Sequence, residues 1–259
     1  MPKLLVCYKW VPDEQDVRVN AGDQSLDFSK AKYKISDYDK NAIEAAALLA
    51  EQIGAGVDAL SFGSAVLKQS TKDVLSRGVD RVCWIGDDAA ASADARVTSK
   101  VLAAAIGKLG QYDLILCGEG SADSYNQQVA PRVATLLNLP VITFVQELKV
   151  ENGQVIAVRK VGNCTETVAV ALPAVVSVQP EINKPHIPGL KQVMAASKKP
   201  AEEIKLADLG LTAADLQAKV VTASVRGYVM NRKNQIFKEA AVADNVAKLV
   251  ASLAQEGLC

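Results

Sequence analysis

The chain has 259 residues, 49% of them hydrophobic, with 29 basic and 29 acidic side chains. That length and apolar content support one large core, or one core with a small appendage. A formal net charge of zero removes the electrostatic case for nucleic acid or an anionic membrane surface, and no run of about 18 apolar residues exists to span a bilayer.

The opening "MPKLLVCYKWVPDEQD" holds a short apolar run followed at once by acids, unlike a secretory signal. A cytoplasmic protein is expected. "KLLVCYKWV" at 3–11 reads as a buried first strand. A polar stretch follows to about residue 36. "DYDKNAIEAAALLAEQIG" has acids at its start and Gly54 at its end, the start and stop signals of a helix. "VDALSFG" is a second strand, "SAVLKQSTKDVLSRG" a helix ending at Gly78, "DRVCWIG" a third strand and "ADARVTSKVLAAAIGKLG" a third helix. "DLILCG" is a fourth strand, "GEGSADSYNQQVAPRVATLLNLP" supplies a fourth helix, and "VITFVQELKV" is a fifth strand. Short Val/Ile/Leu runs alternating with helices predict a doubly wound, mostly parallel sheet of the flavodoxin-like α/β kind.

After residue 146 the pattern becomes period-two around Glu151-Asn152-Gly153, a hairpin signal. "TETVAVAL" and "AVVSVQ" add two strands. Residues 147–180 are therefore expected as a β extension of the same core. From 181 the chain is rich in Pro and Lys and reads as a solvated linker with a short helix. The single histidine, His186, is expected in a surface loop. Near the end, Val242, Val246, Leu249, Val250 and Leu253 share one helical face, which must cover its own core or another chain.

Five cysteines, Cys7, Cys83, Cys117, Cys164 and Cys259, have neither metal-ligand nor redox-motif spacing, and their odd number argues against a disulfide framework. No P-loop, no G-x-S-x-G elbow and no Cys/His nucleophile pair is present. No catalytic residue and no metal site is assigned. The chemistry concentrates in 118–131. Gly118 and Gly120 follow the fourth strand, where doubly wound sheets bind ligands, and glycine lets backbone approach closely. Asp123 and Ser124 are expected to cap the next helix. The free amides around Tyr125 to Gln128 then make an anion site, with Asn126, Gln127 and Gln128 as neutral donors and acceptors. Val129, Val133, Leu136 and Leu137 are expected to hold that helix on the sheet. A well-capped ordinary helix remains the alternative, because two glycines fall short of a dinucleotide fingerprint.

Several stretches in register resemble one family. They are "CYKWVPDEQD", "KISDYDKNAIEAA", "DVLSRGVDR", "DLILCGEGSADSYNQQVAPRVATLLNLP" and "ETVAVALPAVVSV". Together, over roughly residues 1–200, they resemble the β subunit of electron-transfer flavoproteins. The Asp-x-Tyr-x-Gln-Gln-Val form at Asp123 to Val129 is similar to the branch associated with nitrogen fixation and carnitine metabolism.

The resemblance implies a heterodimer with an α subunit that carries a redox-active FAD. The β subunit would hold an adenine nucleotide, either AMP or, in electron-bifurcating members, a second FAD reduced by NADH; only a bifurcating member would oxidise NADH itself. The family's nucleotide contacts correspond to Cys7 and Lys9, to Ser36, Asp37, Tyr38 and Asp39, to Phe62 and Gly63, and to Asp123, Ser124, Tyr125, Asn126, Gln127, Gln128, Val129, Ala130 and Pro131, beside the Gly118 already read as binding from its place after the fourth strand. The loop "HIPGLKQVMAASKKP" resembles the family's partner-recognition loop, with Ile187, Leu190 and Met194 as docking residues extended by Val193, and with Lys191, Lys198 and Lys199 left solvated. Glu166 would pair across to the flavin domain, although Gly162-Asn163-Cys164 replaces the acids the family pattern has nearby. The redox partner would be an acyl-CoA dehydrogenase-type or other flavoprotein, with ferredoxin, flavodoxin or a quinone oxidoreductase as further acceptors. The expected domains are a nucleotide-binding domain at 1–183, the recognition loop at 184–200 and a C-terminal arm at 201–259 packed on the α subunit. The alternative is a stand-alone adenine-nucleotide-binding protein or hydrolase on a similar fold.

Overall fold

A computed structural model of the chain describes residues 2–228 and 232–258. Cys259 lies outside them. The chain divides into two compact units: Met1–Arg18 with Asp27–Val225, and Val19–Leu26 with Arg226–Cys259.

The first unit is an α/β fold with one large sheet. Its elements run β1 Lys3–Cys7, α1 Asp37–Ile53, β2 Gly56–Gly63, α2 Thr71–Leu75, β3 Arg81–Gly86, α3 Ala95–Leu109, β4 Leu114–Gly118, α4 Val129–Leu137, β5 Val141–Glu151, β6 Gln154–Val161, β7 Cys164–Ala171, β8 Ala174–Val178, α5 Leu190–Ala196 and β9 Ala201–Glu203. The nine strands lie in the order β7-β6-β5-β8-β4-β1-β2-β3-β9. The run from β5 to β9 is parallel, and β5, β6 and β7 form an antiparallel meander at one border. The doubly wound expectation holds. The expected β extension divides in two: the β5–β6–β7 meander lies at the border, whereas β8 inserts between β4 and β5 as a fully buried central strand.

Alternation along the strands makes two cores. Leu4, Val6, Leu114, Leu116 and Val176 face α1 and α2. Leu5, Cys7, Ile115, Cys117 and Val175 face α3 and α4. Burying such side chains gives roughly 1.5–3 kcal/mol each, and strands covered on both sides are mostly apolar, with Asp58, Ser61 and Ser177 as buried polar residues among them. Cys7, Cys83 and Cys117 are buried free thiols, and Cys164 is exposed.

Several details differ from the sequence reading. The second helix is a 3-10 stretch over Ala65–Ser70 followed by the short α2. Leu136 does not hold α4 on the sheet, being 49% exposed; Ala130, Val133 and Ala134 do. The polar stretch after β1 is pinned by a two-strand ladder, Trp10–Pro12 against Tyr33–Ile35. Lys34 anchors it through Asp13 (3.3 Å), Glu14 (2.9 Å) and Asp37 (3.0 Å). No helix among the described residues is long and apolar enough to cross a membrane.

In the second unit, α6 Val242–Gln255 carries the expected stripe. Val242, Val246, Leu249 and Val250 are exposed, and Leu253 is half-buried. The helix is tied to the chain before it by Ser252 Oγ on Gln235 Oε1 at 2.7 Å and by the Lys248–Glu239 and Lys233–Glu256 pairs.

Candidate functional site

From β1 the chain winds outward through β2 and β3, and then returns to place β4 on the other side of β1. The order therefore reverses between β1 and β4, and the crevice beyond their carboxyl ends is where this kind of fold takes ligands. Cys7, Lys9, Gly118 and the loop after it lie at that crevice.

The first turn of α1 closes one side. Asp39 is 6% exposed. Its carboxylate accepts hydrogen bonds from the amide of Lys9 (2.8 Å) and the amide of Gly118 (3.2 Å), and so ties the ends of β1 and β4. Burial pushes its pKa up to about 7, against the lowering effect of those two amides and of Lys9. Ser36 is fully buried and accepts a hydrogen bond from the amide of Ala122 at 3.2 Å. The close approach explains Gly118: a Cβ there would lie 2.6 Å from Asp39 Oδ1 and 2.8 Å from the Tyr38 carbonyl carbon.

The loop between β4 and α4 is the main departure from expectation. Asp123 and Ser124 do not cap α4. The helix starts at Val129, and its N-cap, Gln128, makes no side-chain capping bond. The physical reason is backbone shape. Tyr125 and Gln127 have φ of 43° and 56°, a left-handed region incompatible with an earlier start and costing roughly 1–3 kcal/mol each. Asp123 instead bonds Lys9 Nζ at 2.6 Å and Ser121 Oγ at 2.6 Å. Burial raises its pKa, but Lys9 and Ser121 outweigh that and hold the carboxyl below its usual range.

Tyr125 is held in this shape by a partly buried chain of polar groups centred on Glu119. Its hydroxyl donates to Glu119 Oε1 at 2.7 Å. Gln179 Nε2 donates to Glu119 Oε2 at 3.2 Å, and Gln146 Nε2 to Gln179 Oε1 at 3.0 Å. The bond to Glu119 and burial raise the Tyr125 pKa to about 12. Its ring packs at 5.0 Å from that of Tyr38 and fills the place of a Cβ on Gly120. Glu119, only 8% exposed, was not singled out from the sequence, nor were Gln146 and Gln179. An acid wedged between two glycines was the available signal. Tyr38, Asp37 and Ala122 also line an open hollow of about 370 Å³ with Glu14, Asn41 and Pro180.

The remaining residues sort as follows. The Cys7 side chain points into the core under α3 and α4, and the Cys117 thiol beside it is raised by its hydrogen bond with Cys7 and by burial, so only backbone faces the crevice there. Phe62 and Gly63 end β2 on the same carboxyl edge, on the far side of β1. Ser124, Asn126 and Gln127 are exposed. Gln128 is turned onto Arg132, at 3.0 and 2.9 Å. Val129 and Pro131 are half-buried and Ala130 is buried. The amides of Asn126 to Ala130 donate no hydrogen bond among the described residues. A row of free amides at a helix start fits a phosphate, with Lys9 held in the same loop by Asp123 and Arg132 held on Gln128, and the carboxylate of Asp123 fits hydroxyl groups such as those of a ribose.

Away from the crevice, Ile187, Leu190 and Met194 are 92%, 77% and 64% exposed, whereas Val193 is half-buried. Lys191 and Lys198 are exposed as expected. Lys199 is not solvated: its ammonium donates to the carbonyls of Val79 (2.6 Å) and Leu75 (3.4 Å), where the chain leaves α2. Glu166, on β7, lies 3.7 Å from Arg159. His186 is in a loop, but its ring is half-buried and held by Glu44. A family model described as "Electron transfer flavoprotein domain" matches residues 25–209.

Proposed function

The chain belongs to the electron transfer flavoprotein family, and from that premise we propose that it is the β subunit of a heterodimeric carrier that holds one adenine nucleotide in the crevice between β1 and β4. The row of free amides from Asn126 to Ala130 beside Lys9 carries this reading. In it, those amides and Lys9 grip phosphate, Asp123 meets ribose, and Asp39 and Ser36 hold the two walls of the crevice together. The nucleotide is FAD or AMP. FAD would supply a second redox centre and make the protein a bifurcating, NADH-oxidising member; AMP would be structural. The Asp123-Ser124-Tyr125 loop before Gln128-Val129-Ala130-Pro131 inclines the choice slightly to FAD.

The α subunit, bearing its own FAD, would pack on the C-terminal arm of 201–259, chiefly through α6. The segment 184–200 would dock a flavoprotein dehydrogenase or another redox partner through Ile187. Glu166 would face the flavin domain. The test is acid extraction of the purified αβ complex, with identification of every nucleotide released. Two flavins per pair support bifurcation, and one flavin with AMP supports a simple carrier. No adenine nucleotide at the β chain at any stoichiometry would end the proposal.

A further inference from the structure

Helix α1 enters the crevice with its first turn and is used again further along. Asn41 and Glu44 are 6% and 8% exposed, and both turn toward residues 180–192 rather than toward the sheet. Asn41 Nδ2 donates to the carbonyls of Pro180 (3.1 Å) and Asn183 (2.9 Å) and to Asn183 Oδ1 (3.1 Å). Asn183 Nδ2 returns a bond to the Asn41 carbonyl at 3.0 Å. Glu44 Oε2 accepts from the His186 amide at 3.3 Å and lies 2.6 Å from His186 Nδ1. With Nδ1–H donating to Glu44, His186 Nε2 can accept from Gln192 Nε2, 3.2 Å away. Gln192 Oε1 accepts from the Gly189 amide at 2.7 Å, and Arg77 Nη1 donates to the His186 carbonyl at 3.2 Å.

These bonds surround Ile187 on both sides in sequence, and Pro185 and Pro188 stiffen the same segment. Ile187 is nevertheless among the most exposed large apolar side chains of the protein. Burying a carboxylate and a carboxamide is costly unless their bonds are made. Neither group serves the helix that carries it. A solvated linker would not need them, whereas a rigid presenting loop would, because a loop fixed before docking loses less entropy on docking. Exposed Lys184, Lys191 and Lys198 in the same segment favour a partner with an acidic rim around an apolar recess.

We infer that Asn41 and Glu44 are positioning residues, which hold Ile187 with Leu190 and Met194 as a preformed docking platform for the flavoprotein redox partner. The inference rests on the docking role proposed above. Two measurements test it: amide hydrogen exchange over 183–193, and the second-order rate of flavin reduction in the assembled αβ protein by the dehydrogenase that reduces it. The variants are Asn41→Ala, Glu44→Ala, Glu44→Gln and Ile187→Ala. Asn41→Ala and Glu44→Ala should each speed exchange across 183–193 by about tenfold or more while the sheet strands exchange as before, and should slow reduction by about tenfold. Glu44→Gln keeps an acceptor for the His186 amide and should recover most of both losses. Ile187→Ala should slow reduction and leave exchange unchanged.

If Glu44→Ala leaves exchange over 183–193 as in the wild type, or speeds it throughout the sheet, Glu44 has no positioning role. If the loop loosens and the rate holds, the platform need not be preformed, and the inference falls although docking stands. An unchanged rate in Ile187→Ala removes the docking role itself, and the inference goes with it.

Discussion

Gly118 packs so closely against Asp39 that a Cβ at position 118 would stand 2.6 Å from the carboxylate oxygen Oδ1, the oxygen that accepts the hydrogen bond from the Gly118 amide. The next atoms, at 2.8 and 2.9 Å, are Tyr38 backbone, so a shift of the Asp39 side chain alone cannot make room. Gly118→Ala is therefore expected to push the first turn of α1 off β4 and to cost about 1–3 kcal/mol, the usual range for overpacking. Urea unfolding measures this. A loss below about 0.5 kcal/mol would show that the crevice wall is soft.

The buried carboxylate of Asp39 sets a pH dependence. Its folded value near 7 lies above the unfolded value of about 3.9, so the folded state binds the extra proton between them. Its contribution to stability is present below about pH 4 and is lost as pH rises toward 7, at up to about 1.4 kcal/mol per pH unit. Asp123 and Asp37, whose values are lowered, act in the opposite sense and below that window. Denaturation curves at pH 5, 6, 7 and 8 should show wild type losing stability relative to Asp39→Asn. Parallel trends for the two proteins would mean that Asp39 is ionised throughout.

Lys9 reaches the loop that carries the free amides through Asp123, with which its ammonium is paired at 2.6 Å. Lys9→Met should weaken retention of the adenine nucleotide by about tenfold, or about 1.4 kcal/mol, and raise the Asp123 pKa. Equilibrium dialysis of the αβ protein against AMP and against FAD reads the affinity. Equal affinity in the wild type and Lys9→Met would place the phosphate away from Lys9.

The exposed stripe of α6 gives a third kind of test. Deletion of 238–259 removes Val242, Val246, Leu249 and Val250, all exposed, and burial of each against a partner would contribute roughly 1.5–3 kcal/mol. The truncated chain should keep the far-ultraviolet dichroism of its sheet and lose affinity for the α subunit. Undiminished co-purification with α at matched concentrations would assign the stripe elsewhere.

The sheet was legible in the sequence because strands covered on both faces are mostly apolar; the runs around Val6, Val82 and Leu116 are so, and that around Leu60 is broken only by the buried, hydrogen-bonded Asp58 and Ser61. The place of β8 was not legible. Five buried residues, Ala174–Val178, carry no mark of which strands will flank them, and that choice belongs to the long-range packing of α4 and the hairpin. The start of α4 was misread because glycine is the usual sign of a left-handed backbone, and here Tyr125 and Gln127 adopt it, the former supported by Glu119 from within the fold. Lys199 was placed in solvent for a similar reason: the carbonyls it caps, at Leu75 and Val79, are remote in sequence. The candidate residues near the crevice could be named from the resemblance, but that Asp39 would join two strand ends could not.

The outer strand β7 has a further meaning for handling this protein. It borders the sheet with nothing paired on its far side among the described residues, and its side chains alternate Thr, Val and Ala around a single acid, Glu166. Such an edge offers a ready template for another strand, and a charge on the strand is a usual deterrent. The isolated chain should consequently be prone to association through this edge, and neutralising Glu166 should raise turbidity on concentration.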